Sequence, residues 1–134
     1  FIRDELPDLY AAASLVVGRA GAGTVAELAY VGLPSVLIPL PGAGGDEQTR
    51  NARVLANRGA AVLLSQAEAT PERLRAVLLD LLDHPDRRAG MAAAARSVGR
   101  DDAADRLADL LMEVAHRRRN ARWRFEARKE GLRR

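Results

Sequence analysis

Cysteine is absent from this 134-residue chain, and aromatic residues make up only 4% of it. Without cysteine there can be no disulfides and no thiolate metal sites, and a reducing cytoplasmic setting is compatible with that. Only two histidines occur, His84 and His116, far apart in sequence, so no histidine-based metal site is expected. No apolar run approaches the roughly 20 residues that a membrane-spanning helix needs. A secretory signal is missing as well. The chain opens Phe1-Ile2-Arg3-Asp4 without an initiator methionine, which reads as a cut inside a longer protein.

What is present is mainly small and aliphatic. Hydrophobic residues form 48% of the chain, led by Ala, Leu and Val. That suits one helix-rich globular domain with a real core and is short for two. Charge is unevenly placed. Residues 116–134 hold nine Lys/Arg against two Asp/Glu, a formal +7, and since the whole chain carries +3 the preceding part carries −4. The basic character belongs to the tail.

Helical and extended patterns alternate. Residues 6–13 read as a short helix with Asp4 as its cap and Pro7 in its first turn. Residues 14–18 read as a strand, residues 25–31 as a helix stopped by Gly32-Leu33-Pro34, and residues 35–38 as a continuously apolar strand of the buried parallel kind. A Pro/Gly-rich loop, 39–45, leads to Asp46, which is expected to cap a helix running to Arg58 and closed by Gly59. Residues 61–64 form a third strand. Thr70-Pro71 starts a helix with Leu74, Val77, Leu78, Leu81 and Leu82 on its apolar face, ended by His84-Pro85. Another helix covers 86–98, and a last one begins near Asp101 and is expected to bury Leu107, Leu110, Leu111 and Val114. The order implies a parallel sheet with helical crossovers. Three strands are few for such a sheet, and the exposed edge this leaves suggests strands before Phe1.

The most informative stretch is Arg19-Ala20-Gly21-Ala22-Gly23-Thr24-Val25-Ala26-Glu27. A glycine-containing turn from strand to helix exposes backbone N–H groups at the positive end of the helix dipole, which suits a phosphate or pyrophosphate. Glu27 sits one turn further on, where its carboxylate can accept hydrogen bonds from the two hydroxyls of a ribose. The stretch also has a plainer reading, in which Gly21 and Gly23 serve the turn's dihedrals and Glu27 is a solvated helix residue. It is not the Walker pattern, since no Gly-Lys-Ser/Thr closes it. Nor is it G-x-G-x-x-G, since Ala26 stands at the third glycine position. Open parallel sheets bind ligands beyond the carboxyl ends of their strands. Both this turn and the 39–46 loop lie there, so Asp46, Glu47, Gln48 and Asn51 can face the same ligand as Thr24 and Glu27. Taken singly, those four would serve only for capping and solvation.

Residues 19–27, then Gly32-Leu33-Pro34, then Pro39 followed by Gln48-Thr49-Arg50-Asn51-Ala52, resemble the C-terminal, donor-binding domain of the MurG-type glycosyltransferases of family 28. The resemblance covers residues 1–115 and sets 116–134 apart as a basic extension. It implies an α/β fold: a Rossmann-like parallel sheet with flanking helices, as a partial C-terminal domain of the GT-B architecture. It implies a UDP-sugar substrate with neither cofactor nor metal. Gly21, Ala22, Gly23 and Thr24 would face the pyrophosphate, Glu27 would hold the ribose hydroxyls, Glu47 and Gln48 would contact the donor sugar, and Arg19 and Asn51 would support them. The implied reaction is an inverting transfer of N-acetylglucosamine from UDP-N-acetylglucosamine to an undecaprenyl-linked acceptor, converting lipid I to lipid II in peptidoglycan synthesis. Its setting would be cytoplasmic, peripheral on the inner face of the bacterial cell membrane.

Departures from the family pattern matter too. Glu47 stands where these transferases usually carry His or Gln. An acidic residue followed by Gln is common in related transferases that use other sugars. The family's glycine-rich loop, its uracil-reading strand and its whole N-terminal acceptor domain are not in this sequence. The catalytic base is therefore expected outside the chain, and the chain by itself is expected not to turn over. Two other functions stay open: a related family 28 hexosyltransferase with a lipid or natural-product acceptor, and a non-catalytic nucleotide-sugar-binding subunit completed by a partner chain. In the tail, nine Lys/Arg surround Trp123 and Phe125. Such a stretch suits an anionic membrane surface, or nonspecific nucleic acid, or simply a solvated extension of the last helix. A membrane-borne substrate favours lipid over nucleic acid.

Overall fold

The computed structural model describes residues 4–131. They fall into two compact units, divided between Arg100 and Asp101. The first unit runs α1 (Leu6–Ala12), β1 (Val16–Gly18), α2 (Ala22–Val31), β2 (Ser35–Leu37), α3 (Glu47–Ala56), β3 (Ala61–Leu63), α4 (Pro71–Asp83) and α5 (Pro85–Val98), with a short 3-10 turn at Ala43–Gly45 before α3. The sheet is parallel throughout in the order β1-β2-β3, with Val17 opposite Val36 and Val36 opposite Val62. This is the α/β arrangement with a parallel sheet and flanking helices that the alternating pattern predicts.

The centre of the sheet explains its continuous apolar run. Ser35, Val36 and Leu37 are all fully buried, because β2 is covered on both faces. Successive strand side chains point to opposite faces. Leu37 accordingly joins one apolar cluster with Val25, Leu28, Ala52, Leu55 and Ala95, and Val36 joins the other with Leu64, Leu81 and Met91. Helices α2 and α3 thus cover one face and α4 the other. Helix α5 serves both, Ala95 in the first cluster and Met91 in the second.

Helix ends follow local chemistry where a cap or a breaker is present. Thr70 Oγ1 accepts the Arg73 N–H at 3.2 Å, and Pro71 and Pro85 occupy first helical positions. Gly32 (φ 78°) and Gly59 (φ 74°) close α2 and the chain after α3 in the left-handed conformation.

Several expectations are corrected. Asp4 does not cap α1: the cap position is Glu5, which has helical dihedrals and makes no side-chain cap bond. Pairing in β1 starts at Val16, whose N–H bonds the Pro34 carbonyl, so Ser14 and Leu15 precede the strand. Asp46 stands at the cap position of α3 but is left-handed (φ 68°), continuing the positive φ of Gly44 and Gly45, and it makes no side-chain cap bond. Helix α3 ends at Ala56, two residues short of Arg58. On α4, Leu82 is 49% exposed while Leu81 is fully buried, since the apolar face is narrower than the run of leucines.

The second unit is one long helix, α6 (Ala103–Gly131). Leu107, Leu110, Leu111 and Val114 are not buried: all four are exposed, by 57, 55, 61 and 43%. Their i, i+3, i+4, i+7 spacing identifies a helix face but does not supply a covering surface. Among the described residues no helix is long and apolar enough to cross a membrane. The basic and aromatic side chains of 118–134 lie outside the described side chains.

Candidate functional site

The carboxyl ends of β1 and β2 bring the two glycine-rich segments together. Gly18 ends β1, the turn 19–21 follows, and α2 begins at Ala22, three residues earlier than the apolar pattern alone implies. Ala22, Gly23 and Thr24 therefore form the first turn of the helix. The first intrahelical bond runs from the Val25 N–H to the Gly21 carbonyl at 3.0 Å. The amides before it have no intrahelical acceptor. Gly21, at the cap position, has no side chain to offer them.

The plainer reading of these glycines requires unusual dihedrals, and the backbone does not show them. Gly21 has φ −61° and ψ 152°, which any residue adopts, and neither Gly21 nor Gly23 is among the residues with positive φ. A Cβ at Gly21 would come only within 3.9 Å of Thr24 Oγ1, and one at Gly23 would meet nothing within 4 Å. What the two glycines provide is open space beside unsatisfied amides.

Two side chains tie this turn to its surroundings, and a third fixes the facing loop. The Arg19 guanidinium donates to the carbonyls of Ile38 and Pro39, at 3.0 and 3.2 Å, locking the turn after β1 to the loop after β2. Asn51 Nδ2 on α3 donates to the Ala20 carbonyl at 3.2 Å. Gln48 Oε1 accepts the Leu40 N–H at 2.9 Å, which fixes the loop across the start of α3. Arg19 and Asn51 thus bond the turn to the neighbouring loop and helix. Gln48 is half-committed: its amide oxygen is used and its NH2 donors face no bonded partner among the described residues. Glu47 is exposed, and its Oε2 lies 3.2 Å from where a Cβ on Gly44 would stand, so its carboxylate lies over its own loop.

Glu27 is exposed on α2, one turn beyond the open amides. Its Oε2 accepts the Tyr10 hydroxyl of α1 at 2.9 Å. Burial pushes the Tyr10 phenol above its ordinary pKa, and the hydrogen bond and negative charge of Glu27 push it the same way. Sequence reading missed Tyr10. The available signal was its type: a half-buried tyrosine places its ring on the core and usually finds a partner for its hydroxyl. Among the described residues no group of three or more His, Cys, Asp or Glu could hold a metal ion.

The site so built offers backbone donors for an anion, a tethered carboxylate for hydroxyls, and an amide donor group between the loops. Comparison with known proteins shows the family. A model of the glycosyltransferase family 28 C-terminal domain matches residues 2–107. The chain is 55% identical over 111 residues to the UDP-N-acetylglucosamine--N-acetylmuramyl-(pentapeptide) pyrophosphoryl-undecaprenol N-acetylglucosamine transferase of Nitrobacter hamburgensis, covering 83% of this chain and 30% of that protein. The transferase of the same name from Rhodopseudomonas palustris is 54% identical over 113 residues, covering 84% and 31%. Among solved structures, MurG of Acinetobacter baumannii matches with a TM-score of 0.76 and 39% identity over 84% of this chain and 33% of that one. A glycotransferase of kitacinnamycin matches with a TM-score of 0.55 and 28% identity, over 78% of this chain and 26% of that one. The chain spans about a third of the length of these relatives. With its fold, its two converging loops and the family match over most of its length in agreement, the chain belongs to the glycosyltransferase family 28 C-terminal domain family.

Proposed function

We propose that this chain is the donor-binding part of an inverting UDP-N-acetylglucosamine transferase that converts lipid I to lipid II, residues 1–115 forming the donor module. The reading is carried by the convergence of the open 22–24 amides, Glu27 and Gln48 at one end of one sheet, in a chain more than half identical to transferases of that name. The amides of Ala22, Gly23 and Thr24, with the Thr24 hydroxyl, take the pyrophosphate and stabilise its charge as it departs. Glu27 accepts the ribose hydroxyls. Gln48, its oxygen already engaged by Leu40, presents its NH2 group to an oxygen of the donor sugar. Glu47 flanks it. The base that removes the acceptor proton lies on another part of the enzyme, and so does the undecaprenyl-linked acceptor site. We place the protein in the cytoplasm, peripheral on the inner face of the membrane, with the basic residues of 117–134 as the contact to anionic lipid.

Calorimetry of the full chain against UDP-N-acetylglucosamine and UDP-glucose tests this. Binding of the first with clear preference is expected. Preference for UDP-glucose would favour a related hexosyltransferase, the alternative that Glu47-Gln48 and the kitacinnamycin glycotransferase likeness support. Absence of binding to either would overturn the donor-site reading.

A further inference from the structure

Tyr10 stands on α1, on neither of the two glycine-rich segments, yet it is bonded to a principal polar group of the site. Its ring packs against the first apolar cluster and its hydroxyl donates to Glu27 Oε2 at 2.9 Å. Glu27 itself is exposed, and Tyr10 is its one bonded side-chain partner among the described residues. An exposed glutamate on a helix otherwise samples many rotamers, and each must be given up when a ligand binds. A ring anchored in the core removes that freedom beforehand. The carboxylate keeps its capacity to bind: it has about four acceptor sites, of which Tyr10 occupies one, on Oε2, leaving Oε1 untouched.

We propose that Tyr10 is a positioning residue, whose hydroxyl holds the Glu27 carboxylate in the orientation that grips the vicinal diol of a ribose. This rests on the reading of Glu27 as the ribose-holding carboxylate. Tyr10 makes the site selective for ribonucleotides by presenting the acceptor ready-ordered. The phenol stays a neutral donor at neutral pH, since burial and then Glu27 raise its pKa. Because the folded value lies above the unfolded one, the contribution of this bond is complete below the ordinary phenol pKa. It is lost as pH rises through the raised folded value.

Calorimetry of the full chain with UDP, and with a dideoxy analogue lacking both ribose hydroxyls, provides the test. Wild type, Tyr10→Phe, Glu27→Gln and the double variant are compared. Tyr10→Phe should weaken UDP about three- to tenfold, leave the dideoxy analogue unchanged, and have no further effect once Glu27 is Gln. A merely structural role would weaken both ligands alike. That result, or a Tyr10→Phe chain binding UDP as tightly as wild type, overturns the proposal. If Glu27→Gln leaves the discrimination between the two ligands unchanged, or UDP does not bind at all, the ribose reading itself fails and takes this inference with it. A ligand-free measurement reads the contact directly. In a Tyr30→Phe background, phenolate absorbance should rise at lower pH when Glu27 becomes Gln, and an unshifted titration would also overturn the proposal.

Discussion

The two ends of α2 both depend on glycine, and for opposite reasons. At the amino end, Gly21 has ordinary dihedrals and almost nothing near the position of a missing Cβ. At the carboxyl end, Gly32 is left-handed (φ 78°), and Gly99 of the neighbouring α5 terminus lies so close that a Cβ there would stand 2.5 Å from the Ala29 carbonyl oxygen. One end is kept open and the other is filled by the protein itself. Glycine at the packed end answers to the fold. Glycine at the open end meets no demand of dihedral or close packing, which leaves room for the pyrophosphate proposed to bind there.

The sharpest test of the packed end is Gly99→Ala. The new methyl would meet backbone atoms, the Ala29 oxygen at 2.5 Å and carbon at 2.8 Å and Tyr30 Cα at 3.0 Å, and backbone cannot swing aside. Helices α2 and α5 must separate, and a stability loss of up to about 3 kcal/mol is expected. Urea unfolding would show it as a lower midpoint with an unchanged slope. An unmoved midpoint would mean the two helices have slack, and the contrast between the ends would fail there.

Gly32→Ala comes next. The cost is conformational, about 1–2 kcal/mol for a side chain in the left-handed region. The group a Cβ would meet is the Arg96 side chain, which can move. Gly32→Asn should lose less than Gly32→Ala in the same unfolding experiment, because Asn tolerates this region. Equal losses would point to the Arg96 contact rather than to the dihedral.

These positions also show what could be read from sequence. Gly32 and Gly59 closing their helices, Thr70 capping α4, and the buried β2 run were all legible, because each depends on a few adjacent residues. The two loops converging at the sheet end followed from strand order. The start of α2 at Ala22 was not visible, since Ala, Gly and Thr carry no apolar period. Asp46 has the right type for a cap, but the left-handed run from Gly44 onward turns its backbone away from that role. Tyr10 and Glu27 are 17 residues apart on different helices, and nothing local pairs them. The exposed Leu107, Leu110, Leu111 and Val114 make the same point from the other side. Periodicity gives a helix its face, whereas what lies against that face is a property of the tertiary structure.

The smallest effect on stability, and the one most telling for function, is expected from Gly21→Ala. The backbone at φ −61° and ψ 152° accepts alanine without strain, and the added Cβ would approach only Thr24 Oγ1, at 3.9 Å. Alanine is a poorer helix cap than glycine, but it also reduces the freedom of the unfolded chain, so stability should stay within about 1 kcal/mol of wild type. Binding should not stay. The methyl would occupy the space beside the Ala22, Gly23 and Thr24 amides, where the proposed pyrophosphate approaches. A loss of UDP affinity of about tenfold or more, about 1.4 kcal/mol, is expected by calorimetry. A variant that unfolds like wild type and binds UDP poorly would separate the open end of α2 from the packed one by function. A variant that binds normally would show that the space at Gly21 serves no ligand, and the amides of the first turn would have to be reached from another side.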